Sequence, residues 1–534
     1  MATLSPVPNC GFDGRQDRAR RWFFVVLGAL PFQLLLLQHL GSGELATGFL
    51  QYDSAYYVAN GREVFERGNG FAHPNPYDPS PNAPVIYFHW LTWLLGFGVK
   101  VLGADPGALF AAMGVGASLL CSALMLRLVE AVLPEARGRL ALFLLTMWGG
   151  GALCLGALVA NLAAGRPFAA DWFAFDLENG WWFPNWGRNL VLPTEAVYHS
   201  LVAAAWWAVF KRRWGLAIGA VGALAATHPF SGSQHLLILC TWLGVVAARE
   251  RTRAAVVRLT VVAAILGAFA AYNFGFLNSF PEHRALTAKW SLGWTMPMAT
   301  LVLAVAPPAA VALWRLRRRE SWTEADKFFA VAWAVTFLLM KHDWFVAARQ
   351  PAHFSRGYHW LPVWLMALPQ LQAWGLTLAA RAGRRALIVA GGAAAMFLVS
   401  DNAAFLLREF RDGQPERLYL TPAQRDVFRW MEQGGLRGVF LCVDTRLSYL
   451  AATFTSVRPY LGHINNTPDV HGRWRQVAAW HRNGGRGPWL EHFDYVLVER
   501  ANPPAAFDGE NWREIHRNQD YVLFGRFKET PAKP

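Results

Sequence analysis

The run "WFFVVLGALPFQLLLLQHL", from Trp22 to Leu40, is long enough to cross about 30 Å of hydrocarbon as one helix. Ten further apolar runs follow at roughly 106–128, 140–160, 193–210, 214–229, 231–248, 255–276, 293–314, 326–342, 359–378 and 385–406. A chain of this kind must satisfy its backbone hydrogen bonds within each apolar segment. The pattern therefore predicts an α-helical polytopic membrane protein with about eleven spans.

Composition supports the same class. Hydrophobic residues make up 54% of the 534 positions and charged residues only 16%. The formal net charge of +14 does not point to nucleic acid, because Lys and Arg fall in short clusters beside the apolar runs. Cys10, Cys121, Cys154, Cys240 and Cys442 are odd in number and lack ligand spacing, which argues against a disulfide framework or a zinc site.

Arg15, Arg18, Arg20 and Arg21 precede the first span, which reads as a retained anchor rather than a cleaved signal. The positive-inside rule then predicts a cytoplasmic N-terminus. The clusters at 137–139, 211–213, 249–253, 315–319 and 381–385 all fall inside if "YFHWLTWLLGFGVKVLG", residues 87–103, lies along the outer interface as a juxtamembrane helix. The external elements are then the loops 41–86, 161–192, 277–292 and 341–360, and the break "THPFSGSQH" at 227–235.

After residue 406 the pattern changes. "RGVFLCVD", "FDYVLVER" and "YVLFGRF" read as strands, and "TPAQRDVFRWMEQG" and "HGRWRQVAAWHRNG" have helical spacing. This predicts a small soluble α/β domain over 407–534, on the external side given an odd number of spans. Within it, "RPYLGHINNTPD" reads as a strand and a turn, and its "NNT" as a weak acceptor pattern for glycosylation.

The opening loop carries "YDSAYYVANGREVFERG", where Tyr52, Tyr56, Ala59 and Val64 follow helical spacing and Asp53 stands at the helix start. An N-cap is one reading of Asp53. A base for chemistry on a lipid-linked substrate is the other. The early acid, the proline-bearing stretch "NAPVIYFHWLTWLLG", the many spans and the C-terminal domain together resemble the GT-C glycosyltransferases, such as the protein mannosyltransferases and the aminoarabinose transferases of lipid A. The resemblance covers the membrane portion as architecture and the opening loop as motif. It implies an inverting enzyme that moves a sugar from a polyprenyl-phosphate carrier to a lipid, glycan or protein acceptor on the outer side, with Asp53 as catalytic base. The chain departs from the pattern in two ways: Ser54 stands where many members have a second acid, and Pro84 and His89 occur without the lysine that many members carry ahead of this helix.

The chemistry calls for these residue types on its own terms. An acceptor hydroxyl needs a carboxylate or imidazole to take its proton, and the leaving phosphate needs cations or hydrogen-bond donors. For the phosphate the candidates are Arg349 and Arg356 first, with His353, Lys341 and His89, and with His342 and His359 nearby. Arginines near spans also snorkel or anchor helix ends, which is the plain alternative. For sugar or acceptor binding the candidates are Asp171, Asp176, Glu178 and Arg188, in a loop with several tryptophans, and His228 in the 227–235 break. Interfacial Trp enrichment and a proline kink account for the same residues without a ligand.

No metal-ligand spacing is present, although Asp53 joined by Asp171 or Asp176 across loops leaves a divalent metal possible as cofactor. The rival functions are a transporter or flippase of a lipid-linked saccharide and a non-catalytic assembly subunit. Transporters show repeated halves and charge at mid-membrane, and this chain shows neither clearly.

Overall fold

The computed structural model describes residues 14–133, 135–168, 170–289, 294–317, 322–412, 417–485, 488–501 and 511–527. Cys10 and the 318–319 part of the basic run at 315–319 lie outside the described residues.

The membrane portion is helical throughout. Its helices are α1 (Gly14–Leu40), α2 (Ser54–Glu66), α3 (Trp90–Lys100), α4 (Pro106–Val132), α5 (Arg139–Trp148), α6 (Leu153–Ala163), α7 (Pro193–Phe210), α8 (Trp214–Ala225), α9 (Pro229–Glu250), α10 (Arg253–Ala270), α11 (Pro281–Lys289), α12 (Met298–Leu316), α13 (Glu324–Met340) and α14 (Trp360–Asp412). Each of the eleven expected spans falls on one or two of these helices. By length and hydropathy, however, six of the described helices are able to cross a membrane, or seven if the bent pair α5 and α6 is one span. Four of the expected spans account for the difference. The runs 359–378 and 385–406 form a single long helix broken at Gly383, whose φ of 81° is left-handed; α8 has 12 residues and α13 has 17; and α7, at 18 residues, is not among the helices that pass.

Helix starts are written locally in the sequence. Asp105 accepts from the Ala108 N–H ahead of Pro106 at the first turn of α4, and the His89 ring accepts from the Thr92 N–H to begin α3. The helix expected at 87–103 is therefore present as an eleven-residue segment. It crosses α2 closely: a side-chain carbon on Gly96 would strike the backbone of Gly61, and one on Gly61 would strike the backbone of Thr92 and Gly96.

The C-terminal unit contains α15 (Pro422–Gln433), α16 (Thr445–Phe454) and α17 (Val470–Arg482) with strands β1 (Gly438–Cys442), β2 (Val457–Pro459), β3 (Tyr495–Glu499), β4 (Trp512–Arg517) and β5 (Tyr521–Arg526). The sheet order is β2-β1-β3-β5-β4. β1 pairs in parallel with β2 and β3, and β5 runs antiparallel to β3 and β4.

This unit shares a core with the opening loop. Ala55, Val58 and Ala59 of α2, Tyr77, and Leu95 and Val99 of α3 pack into one buried cluster with Leu420, Phe428, Tyr449, Leu450 and Leu523. A charged clamp adds to it: Arg62 lies 2.7 Å from Glu432 and 3.0 Å from Glu66, and Lys100 lies 2.9 Å from Glu66 and 3.3 Å from Glu432. These contacts fix the C-terminal unit over the start of α2.

Candidate functional site

Asp53 precedes α2 with helical φ and ψ, and its side chain makes no capping hydrogen bond. The capping role is therefore not what holds this carboxylate. Instead the ring of His463 donates from Nε2 to Asp53 Oδ1 at 2.7 Å. The tautomer follows from the other side of the ring, where Nδ1 receives the Asn465 backbone N–H at 3.2 Å and the Asn466 side-chain amide at 3.0 Å. Nδ1 is thus an acceptor, and the ring proton sits on Nε2.

His463 is buried, while the Asp53 side chain is 52% exposed. The imidazole sits among the rings of Tyr52, Tyr56, Tyr77 and Tyr449, with centroids between 4.9 and 6.0 Å away. Gly462 beside it has no room for a side-chain carbon, which would enter the Tyr77 ring. Further bonds lock this loop to the segments on either side of α2: the Tyr52 hydroxyl accepts from the Ile464 N–H at 3.0 Å, and Asn75 donates to the Asn466 carbonyl at 2.6 Å. Burial pushes the Tyr52 phenol up to about 12, so it stays protonated.

One face of α2 continues from Asp53 into a cavity of about 610 Å³. Tyr56, Tyr57 and Asn60 lie three, four and seven residues on, and all three line it. Across the cavity stand His89, His228 and an apolar wall including Ile265 and Phe269 of α10. The His228 ring stacks on Tyr198 at 4.9 Å and accepts from the Ser231 N–H at 3.1 Å. Burial drives the His89 ring down to about 3, so it is a neutral hydrogen-bonding group rather than a cation.

Arg356 is one of the two arginines the sequence offers to a phosphate. It is ion-paired with the buried Glu195 and donates to His353 Nδ1 at 2.8 Å, while its Nε is buried without a hydrogen-bond partner among the described residues. Burial pulls its pKa down, and Tyr57, Tyr358 and Asp53 oppose that, so Asp53 is within electrostatic reach. Its φ of 26° is left-handed, an uncommon conformation for a residue with a side chain, and Gly357 follows at 77°. His353 is pressed against Phe230 at 4.5 Å and Trp182 at 4.7 Å, and burial drives it to about 3. By sequence His353 counts among the basic groups; in the folded chain it is a neutral ring that accepts from Arg356.

The other candidates go elsewhere. Arg349 is exposed, and its backbone N–H donates to His342. Lys341 is buried against Asp343 at 3.1 Å and donates to the Met296 carbonyl. Asp176 and Arg188 pair with each other at 2.5 Å, and Arg188 also donates to Asn402 and to the Asp401 and Gly180 carbonyls. These bonds tie the 161–192 loop to α14, while Asp176 Oδ1 is buried without a hydrogen-bond partner among the described residues. Asp171 and Glu178 are exposed, and Asp171 accepts from the Phe173 N–H two residues on. Asp53 turns to His463 and Asp176 to Arg188, and among the described residues no group of three His, Cys, Asp or Glu side chains is set to hold a metal.

Sequence reasoning missed His463, because "RPYLGHINNTPD" read as strand and turn. Its one local signal is an asparagine three residues after the histidine, Asn466, whose side-chain amide fixes the ring. A second cleft, of about 680 Å³, opens on the C-terminal side of the same pair, lined by Tyr52, Gly462, Ile464, Arg446, His471 and Trp474 among others.

No family model matches the chain, and no curated protein does. Among solved structures it is similar to the crystal structure of the Archaeoglobus fulgidus oligosaccharyltransferase tethered through a disulfide bond to an acceptor peptide containing the NVT sequon. The identity is 11% and the TM-score 0.50, over 91% of this chain and 70% of that one. The chain therefore has a GT-C-like fold: a helical membrane portion with a small C-terminal sheet domain seated on its opening loop.

Proposed function

We propose that this protein is a membrane glycosyltransferase that moves a sugar from a polyprenyl-phosphate carrier to an acceptor hydroxyl, with inversion and with Asp53 as general base. The observation that carries the reading is the exposed Asp53 carboxylate held by His463, with Tyr52 just before it lining one cavity and Tyr56 and Tyr57 just after it lining the other. His463 occupies Oδ1, which leaves Oδ2 as the oxygen that takes the acceptor proton. The acceptor oxygen then forms its bond to the anomeric carbon, and the carbon–oxygen bond to phosphate breaks with its electron pair passing to the phosphate. The leaving anion is stable and needs donors rather than an acid.

The cavity past Tyr57 suits the donor. Its apolar wall fits an isoprenoid chain, and the neutral rings of His89 and His228 supply polar groups. Arg356, with its unpaired Nε, is the phosphate cation in this reading. The cleft at Tyr52, Ile464 and Trp474 is the acceptor's approach, on the opposite side of Asp53.

The test is transfer of label from polyprenyl-phosphate sugars by purified wild type and by Asp53→Asn. Wild type should transfer and the variant should not. Equal transfer by both sinks Asp53 as base, and movement of the intact lipid-linked sugar across liposomes without transfer favours a flippase.

A further inference from the structure

A separate cavity of about 500 Å³ lies at the far end of α7–α9, bounded by Arg212, Arg249, Trp214, Trp242, Glu250 and Glu324. The turn between α7 and α8 and the turn between α9 and α10 bring Lys211, Arg212, Arg213, Arg249, Arg251 and Arg253 to this end, with Glu250 as the carboxylate among them. Glu324 and Lys327 at the start of α13 add one charge of each sign and pair at 3.1 Å. The excess is strongly positive.

The positive groups are held rather than scattered. Arg213 and Arg127 sit over the Trp207 ring at 5.1 and 5.6 Å, and Arg258 sits over Trp214 at 5.3 Å. Internal neutralisation is weak where it matters: Arg212 is 3.9 Å from Glu250 with its side chain 77% exposed. Arg249 pairs with Glu324 at 2.8 Å, both half-exposed. Arg249 donates to both Glu324 oxygens from Nη1 alone, so its exposed remaining face and the exposed Arg212 guanidinium are what an added anion would meet.

Directly along the helices from this end, the surface turns apolar. Leu216 of α8, Val245 of α9, and Val256 and Val257 of α10 are exposed by 37 to 51%. Both α9 and α10 are long and apolar enough to span a membrane, and their shared end is the 250–253 turn. The cavity itself is lined by two arginines and two glutamates, and the positive excess comes from its rim, Lys211, Arg213, Arg251 and Arg253. Such a cationic rim with indole rings at the end of two spans, continued by exposed aliphatic side chains, is complementary to an amphiphile with a negative head.

We propose that this cavity binds an anionic phospholipid, with its phosphate between Arg212 and Arg249 and its acyl chains along Leu216, Val245 and Val256. The apolar continuation is what selects a lipid over free phosphate. The site is independent of Asp53 and of the transfer reaction.

The experiment is native mass spectrometry of the purified full-length chain with phosphatidylglycerol, with phosphatidylethanolamine, and with sn-glycerol 1-phosphate as a soluble competitor. Phosphatidylglycerol should be retained over phosphatidylethanolamine. Arg212→Gln should weaken it about fivefold, near the contribution of one surface cation to anionic lipid binding. Arg249→Gln should do the same, while Arg385→Gln, a basic residue elsewhere in the chain, should leave binding unchanged. Because Arg212 is so exposed, its variant tests the site without disturbing the fold. Equal retention of the two lipids, or wild-type phosphatidylglycerol binding by both cavity variants, overturns the proposal. Full displacement by glycerol phosphate overturns it in favour of a soluble phosphate site.

Discussion

His463 Nε2 lies 2.7 Å from Asp53 Oδ1, so a side chain of the C-terminal domain orients the acid at the head of α2. Replacing Asp53 by Asn should reduce transfer by roughly 10²- to 10⁴-fold, the usual contribution of a positioned general base. His463→Ala should lose about tenfold to a hundredfold through misplacement of the carboxylate. His463→Gln, which can still donate an N–H, should recover part of that loss in kcat with little change in donor KM. If Ala and Gln behave alike while both remain folded, the histidine does not act through this bond.

Arg356 and Arg349 were equal candidates by sequence and differ in the fold. Arg356→Lys keeps the charge and loses the fork, and should raise the donor KM about tenfold. Arg349→Ala, an exposed position, should stay near wild type. The reverse ranking in steady-state kinetics would move the phosphate site to the 344–350 loop.

Acid should destabilise the chain through its buried imidazoles. His73 is lowered to about 4, and His89 and His353 to about 3, from an ordinary 6.5, each chiefly by burial. Below 6.5 the unfolded chain takes up protons that the folded chain refuses, so the stability these rings contribute is complete above that pH and is lost as pH falls toward 4 and 3. The decline in Tm from pH 6.5 to about 4 should be shallower in His353→Asn than in wild type. Parallel curves would mean that His353 protonates freely in the folded state.

The clamp at Arg62 joins α2 to α15. Arg62→Met leaves the buried Glu66 and the part-exposed Glu432 to share Lys100 and the Ser456 hydroxyl, and should cost about 3 kcal/mol, the scale of breaking a buried ion pair from one side. Thermal unfolding in detergent measures it. An unchanged Tm would show that the shared apolar core alone seats the C-terminal domain.

The sequence by itself determined what is local. Runs of apolar residues specify membrane helices because hydrocarbon leaves the backbone no other partner, and the caps at His89 and Asp105 and the short apolar runs of β1, β3 and β5 are set by neighbouring residues. It also marked Asp53 as the acid of interest. Which polar groups meet across the fold was decided by tertiary structure. Asp176 and Arg188 form a buried pair, and His353 is stripped of charge by burial, because desolvation depends on packing among distant helices. Asp53 and His463 are 410 positions apart, and only the apolar core shared by α2, α3 and the C-terminal sheet brings them within one hydrogen bond.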